Sequence, residues 1–344
     1  MSTMDDRYSR QRLFAPIGNE GQEKLRTATI GLIGLGALGS VIAEQLARAG
    51  VGRLIVVDRD FVESSNLHRQ TLFTEEDAVE KTPKAIAAAR RLSQLNAEIM
   101  IEAHVVDFNA SNAEELLADA DLLIDGTDNF STRYLLNDLA CEQNKPWIYG
   151  ACVASGGLTA TIIPGRTPCL TCLFPEPPPH GTSDTCDTVG IIAPAAHITA
   201  SLQVTETLKW IVGDHEALRT GLLSFELWPF RLAELGKATH GPRSDCPTCV
   251  QGNRRYLHGE TQTRTLSLCG RNAVQVLPSS QGDLDLEELA ARLAYAGEVS
   301  CNGAMVTLAL PDHSLSIFAD GRALIRGTSD LTQARTLYDR FVGS

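Results

Sequence analysis

The chain has no surplus of positive charge: 30 Lys and Arg stand against 42 Asp and Glu, a formal net charge of −12. That balance excludes a general affinity for nucleic acid or anionic membrane, because either needs a basic surface. It leaves room for a local basic pocket that takes phosphates. A membrane-spanning run is lacking as well. The longest uncharged apolar stretch, residues 189–205, carries Pro194, His197 and several hydroxyl residues, and reads as a buried helix. Nor does Met1–Arg12 contain an apolar run followed by a small-residue cleavage site, so no secretory signal is expected. Nine cysteines in such a chain point to reduced thiols or metal ligands, and to a cytoplasmic protein. With 344 residues, 43% of them hydrophobic and 21% charged, one large soluble domain and a small one are expected.

What is present begins with a short β-compatible run, Thr29–Ile33, that ends in the turn Gly34-Leu-Gly36-Ala-Leu-Gly39. From Ala37 to Ala49 apolar residues recur at helical spacing, and Gly50 closes the segment as a C-cap. Arg53–Asp58 reads as a second buried strand, completing a β-α-β unit. A helix is expected from Pro83 to Asn96, strands over Ile99–Val106, Leu122–Asp125, Trp147–Tyr149 and Gly157–Ile163, and an amphipathic helix over Ile198–Val212. This alternation predicts a doubly wound, Rossmann-like α/β domain over residues 1–255. Proline-rich Pro175–Gly190 interrupts it as an exposed loop. Residues 256–344 read as a small α+β domain: alternation over Leu266–Val276, helices over Leu284–Tyr295 and Leu331–Val342, and a strand pair within Met305–Ile325 broken at Pro311.

The glycines at 34, 36 and 39 sit where a strand turns into a helix, which permits a tight turn and places phosphate at a helix N-terminus. Asp58, at the end of the next strand, is placed to accept hydrogen bonds from ribose hydroxyls. These features alone suit an NAD-dependent dehydrogenase equally well. Ser65-Asn66-Leu67-His68-Arg69-Gln70 and then Lys84 shift the balance, since a triphosphate losing pyrophosphate needs several cations and donors. Asp125-Gly-Thr-Asp128-Asn129 closes another strand, where Asp128 is a candidate Mg²⁺ ligand and Asp125 a candidate helix cap.

Two C-x-x-C pairs, Cys169/Cys172 and Cys246/Cys249, supply the four thiolates of a closed tetrahedral zinc site, and a redox motif would need only one pair. Cys141, Cys152, Cys269 and Cys301 read as buried small hydrophobes. Cys186 lies in the exposed loop, where Asp184 and Asp187 oppose its ionisation, so an inert thiol fits as well as a reactive one.

Together these residues resemble the ThiF/MoeB/HesA family, bacterial relatives of ubiquitin-activating enzymes. The resemblance runs from about Arg7 to Cys249 and includes Arg7-Tyr-Ser-Arg10-Gln11, the glycine turn, Asp58, Asn66, Arg69, Gln70, Pro83-Lys84, Thr127-Asp128-Asn129 and both cysteine pairs. It implies a homodimer that adenylates the Gly-Gly C-terminus of a ubiquitin-like sulfur carrier protein with ATP. A sulfur donor such as a cysteine desulfurase then acts on the adenylate. It further implies that Asp58 binds ribose, that Gly36 lies against the nucleotide, and that Asn66, Arg69 and Lys84 hold the phosphates. Asp128 would hold Mg²⁺, Arg10 would reach the neighbouring subunit's γ-phosphate, and the paired cysteines would bind Zn²⁺. Cys186 matches the family's loop cysteine, which becomes linked to the carrier in some members. The tail is similar to the extra domain of ThiF-like proteins from Gram-positive bacteria, which favours thiamin thiazole synthesis over molybdopterin. A dehydrogenase would explain neither the cysteine pairs nor Arg69 and Lys84. A non-catalytic, zinc-stabilised binder of a ubiquitin-like protein would have no use for the phosphate-binding set.

Overall fold

The computed structural model describes residues 7–176, 190–235, 241–258, 265–268, 272–277 and 284–342. Two compact units emerge, one reaching to residue 258 and the other following from residue 265. In the first unit, α1 (Ser9–Arg12) and α2 (Gly18–Thr27) precede β1 (Thr29–Ile33). The glycine turn leads into α3 (Ala37–Ala49), which stops at Gly50 with φ 83°, a left-handed conformation that glycine adopts without strain. Next come β2 (Arg53–Val57), a single 3₁₀ turn at Ser64–Asn66, α4 (Glu75–Val79) and α5 (Lys84–Leu95). They are followed by β3 (Met100–His104), α6 (Ala113–Leu116), β4 (Leu122–Asp125) and α7 (Phe130–Glu142). The unit finishes with β5 (Trp147–Val153), β6 (Gly156–Ile162), α8 (Leu170–Leu173), α9 (Ala193–Val212), β7 (Leu222–Leu227) and β8 (Phe230–Leu235).

These strands form one sheet in the order β3-β2-β1-β4-β5-β6-β7-β8. The first five are parallel, and β6, β7 and β8 are antiparallel additions. Leu54 and Val56 pack into one core with α3, α5 and α9, while Ile55 and Val57 pack into the other with α7. Burial on both faces explains why the central strands β1, β2 and β4 are almost continuously apolar rather than alternating. Ile33 pairs with Val57 on one side and with Asp125 on the other, so the carboxyl ends of β1, β2 and β4 lie level. Strand order reverses at β1, and the crevice there is where open α/β sheets hold ligands.

Helix α9 differs from the expected Ile198–Val212 segment. It begins at Ala193 with Pro194 in its first turn, a position that needs no proline N–H. Nor is it amphipathic in the expected sense, because Thr199, Gln203, Glu206 and Thr207 are all buried. Gln203 Nε2 donates to Asp125 O at 2.8 Å, so polar side chains face the sheet and serve backbone groups there.

The second unit holds β9 (Thr265–Leu268), β10 (Ala273–Val276), α10 (Leu286–Leu293), β11 (Glu298–Cys301), β12 (Met305–Ala309), β13 (Ser314–Phe318), β14 (Ala323–Arg326) and α11 (Leu331–Phe341). Its antiparallel sheet runs β11-β12-β13-β14-β10-β9, an α+β arrangement. The stretch expected to hold a strand pair holds three strands, because Gly321 allows a second tight turn after Phe318. Strand β11 was not foreseen: it is an exposed edge with almost no apolar signal. Cys301 on it is exposed, contrary to the expected buried thiol, whereas Cys141 and Cys152 pack partly buried against the two cores of the first unit. Cys269 lies outside the described residues.

Candidate nucleotide site and cysteine cluster

The glycine turn is held from both sides. Gly34 N donates to Val57 O and Gly126 N to Ile33 O, each at 2.8 Å. A side chain on Gly39 or Gly126 would run into the carbonyl of Gly34, so both positions are closed by the protein's own backbone. Gly36 is different. A methyl there would meet only Gln70 Nε2, at 3.9 Å, and its φ of −73° suits any residue. The ground above Gly36, at the N-terminus of α3, is therefore open to a ligand. We expect Gly39→Ala to lower thermal stability and abolish nucleotide binding together, whereas Gly36→Ala keeps the melting temperature and weakens nucleotide binding alone. Melting curves and ATP titrations of the two variants check this, and an unaffected Gly36→Ala affinity would refute it.

Asp58 is buried beside the turn. Its Oδ2 accepts from Leu35 N at 2.6 Å and its Oδ1 from Asp60 N at 2.7 Å, which fixes the carboxylate between turn and strand. Burial raises its pKa, and the charge of Lys84 pulls it back down. Lys84 is only 4% exposed and places Nζ 3.1 Å from Asp60 Oδ2. Asn66 is buried in the 3₁₀ turn, where its Oδ1 accepts from Arg69 at 3.2 Å and from Gln70 Nε2 at 3.1 Å. Gln70 Oε1 is buried without a hydrogen-bond partner. Gln70 thus joins the Asn66–Arg69 cluster to the ground over Gly36.

Asp125 and Asp128, three residues apart, have opposite surroundings. Asp125 is fully buried and accepts from Thr127 N at 2.9 Å, Thr127 Oγ1 at 2.8 Å and Arg133 Nε at 3.1 Å. Burial pushes its pKa up, against the nearby Arg133 charge. It does not cap α7. Asn129 does, accepting from Thr132 N at 2.8 Å. Asp128 is exposed at the mouth of the crevice and accepts no hydrogen bond from a described residue, so its carboxylate is open to a cation. Its charge reaches both Arg59 and Arg133.

Three contributors escaped the sequence reading. Arg133 is buried in α7 and also donates to Thr127 O at 2.8 Å and Gly150 O at 3.2 Å, fixing the loop that carries Asp128. Nothing in its own helix sets it apart, since the buried residues of α7 also include Asn137 and Asp138. Arg59 and Asp107 pair at 2.6 Å across the ends of β2 and β3. Burial opposes the charge of Arg59, but Asp107, Asp60 and Asp128 outweigh it and raise its pKa.

Arg10 is exposed on α1 and is not brought to this crevice within the chain. Its neighbour Gln11 donates to Ala49 O at 2.8 Å, at the far end of α3. Thirteen helical residues place that end roughly 20 Å from the glycine turn.

The two cysteine pairs converge. Cys169 Sγ lies 3.7 Å from Cys172 Sγ and 3.6 Å from Cys246 Sγ, and Cys172 Sγ lies 3.5 Å from Cys249 Sγ. All four sulfurs fall within 4.8 Å of one another. Disulfides would need about 2 Å, whereas a tetrahedron with metal–sulfur bonds of about 2.3 Å has edges of about 3.8 Å. The geometry therefore fits a metal. Arg243 N also points at Cys172 Sγ from 3.4 Å, and Thr171 and Thr248 hydroxyls meet at 3.0 Å between the two knuckles. Cys186 lies outside the described residues.

A family model described as the ThiF family matches residues 8–248. Over 341 residues the chain is 46% identical to the sulfur carrier protein ThiS adenylyltransferase of Bacillus subtilis, covering 99% of this chain and 100% of that protein. It is 40% identical over 249 residues to a sulfur carrier protein adenylyltransferase of Thermus thermophilus, covering 71% of this chain and 90% of the relative. Among solved structures, E. coli MccB with ATP matches with a TM-score of 0.62 at 24% identity, over 71% of this chain and 74% of that one. That last similarity speaks to the fold of the first unit's sheet and helices.

Proposed function

This chain belongs to the ThiF family, and we propose that it uses ATP to adenylate the C-terminal glycine of a ubiquitin-like sulfur carrier protein. The observation that carries the proposal is the gathering of Gly36, Asp58, Asn66, Arg69, Gln70, Lys84 and Asp128 around one crevice, in a chain related along its whole length to an enzyme so named. With relatives named as adenylyltransferases, the dehydrogenase and the non-catalytic binder are left without support.

In this reading Asp58 holds the ribose, and the open ground over Gly36 lets phosphate approach the N-terminus of α3. Asn66, Arg69 and Lys84 offset the phosphate charge. Asp128 is the residue to hold Mg²⁺, which when bound supplies further charge neutralisation on the phosphates. A carboxylate oxygen of the carrier attacks the α-phosphorus, the bond from that phosphorus to the pyrophosphate oxygen breaks, and an acyl-adenylate forms. The nucleophile is already ionised, so the protein needs no base. Its task is to position two anions and stabilise their charge. Sulfur from a donor such as a cysteine desulfurase then displaces AMP from the acyl carbon to give a thiocarboxylate, in thiamin thiazole or molybdopterin synthesis.

We place this chemistry in residues 1–255, assign the four paired cysteines to a structural Zn²⁺, and leave residues 256–344 without an assigned activity. A homodimer is part of the proposal: Arg10 is exposed far from its own crevice, and Leu13 and Phe14 beside it are 73% and 61% exposed. No helix among the described residues is long and apolar enough to cross a membrane. We take the protein to act in the cytoplasm, without nucleic acid. ATP–pyrophosphate exchange with Gly-Gly-tailed carriers tests the proposal, and its absence with every candidate would defeat it.

The carrier also needs a surface. Edge strand β8 leaves Phe230 and Leu232 73% and 61% exposed, with Trp228 at 83% before them. An edge that no other described strand pairs with, bearing large apolar side chains, suits docking against a small β-rich partner. We expect Phe230→Glu combined with Leu232→Glu to raise the KM for carrier at least tenfold, at the scale of interface hot spots, with ATP affinity unchanged. Steady-state exchange against carrier concentration checks it; an unchanged KM would place the docking surface elsewhere.

A further inference from the structure

This inference rests on the ATP-dependent reading above. Strand order sets the sides of the crevice: the glycine turn follows β1, Asp58 follows β2, and the segment after β3 comes next. A nucleotide with its phosphates over the turn and its ribose at Asp58 therefore carries its base toward the end of β3. Asp58 N donates to His104 O at 3.1 Å, so the two strand ends run together.

Three residues beyond His104 stands Asp107, which is buried. Its Oδ1 accepts from Arg59 at 2.6 Å, while its Oδ2 accepts no hydrogen bond from a described residue. Its backbone carbonyl accepts from the side-chain amides of Asn109 and Asn112, both at 2.9 Å, so the carboxylate is anchored from behind. Phe108, also buried, follows it. The result is a carboxyl group with one oxygen engaged by a guanidinium and the other without a hydrogen bond from a described residue, at the place where the base falls. Adenine and guanine differ at position 6, where adenine donates from an amino group and guanine presents a carbonyl acceptor.

We propose that Asp107 accepts a hydrogen bond from the 6-amino group of adenine and thereby selects ATP over GTP, with Arg59 as the residue that positions it. Guanine would set its carbonyl against the carboxylate lone pairs, an arrangement with no shared proton. A purely structural Arg59–Asp107 pair would show no dependence on the identity of the base.

The test is calorimetric binding of ATP, GTP and purine riboside triphosphate, which lacks the 6-amino group, to the full chain with Mg²⁺. The wild type is expected to bind ATP roughly ten- to a hundredfold tighter than the des-amino analogue, the range of a hydrogen bond to a charged group, and GTP more weakly still. Asp107→Asn keeps the side-chain shape but replaces the carboxylate by an amide, and its ATP preference is expected to fall to about fivefold, the scale of a neutral hydrogen bond. Equal binding of ATP and the des-amino analogue by the wild type overturns the inference without any variant. So does an Asp107→Asn chain that keeps the wild-type preference. A wild type that binds none of the three triphosphates defeats the ATP reading itself, and this inference with it.

Discussion

Asp128→Ala is expected to abolish carrier-dependent ATP–pyrophosphate exchange, lowering kcat/KM by about 10³ or more, while leaving the fold intact. The magnitude follows from what such groups contribute when they stabilise charge in a transition state: about 10²–10³ for a single preorganised donor, and more where a metal is lost with the ligand. The intact fold follows from the surroundings. Asp128 is exposed and accepts no hydrogen bond from a described residue, so its removal leaves no buried group without a partner. Asp125→Ala makes the contrast. There the buried Arg133 loses the carboxylate at 3.1 Å, and breaking a buried pair from one side costs about 3–5 kcal/mol. Exchange kinetics together with melting curves separate the two: Asp128→Ala should be inactive and stable, Asp125→Ala unstable whatever its activity. Near-normal exchange by Asp128→Ala would remove it from the site.

Removal of the metal from the cysteine cluster is expected to have the largest effect on stability. Cys169 and Cys246 are essentially inaccessible, and residues 241–258 contain neither helix nor strand among them. With no regular hydrogen-bond ladder, that segment depends on its knuckle for a core. Structural zinc contributes apparent binding energies of about 10–16 kcal/mol in small peptides. Even a third of that, about 4 kcal/mol, lowers Tm by roughly 8–16 °C in a domain of this size. Purified protein should carry one zinc per chain by elemental analysis. Chelation or Cys169→Ser should produce that drop and release the metal. A chain that holds no zinc, or whose melting is indifferent to chelators, would contradict the assignment.

The parts legible in the sequence are those whose causes are local. The β1–α3–β2 unit announces itself because a glycine pattern, a helical period and an apolar run lie end to end within thirty residues. The cysteine pairs are legible because each C-x-x-C is a short-range motif, although only the fold brings the two together. Arg133, Arg59 and Asp107 were missed because their partners come from other strands and loops, and nothing in their own neighbourhoods marks them. The antiparallel half of the sheet was likewise read only in pieces: β8 is exposed along most of its length, so it carries no core signal. Strand β11 failed for the same reason.

Helix α7 touches both ends of this chemistry. Its cap Asn129 adjoins Asp128, and one turn on Arg133 secures the nucleotide-side loop. Farther along, Asn137 Oδ1 accepts from Leu170 N at 2.8 Å and Asp138 Oδ2 from Tyr256 N at 2.9 Å, securing the segments that carry the cysteines. A ligand held at either end would lean on this one helix, and thermodynamic linkage makes any such coupling mutual: the factor by which nucleotide tightened metal would equal that by which metal tightened nucleotide.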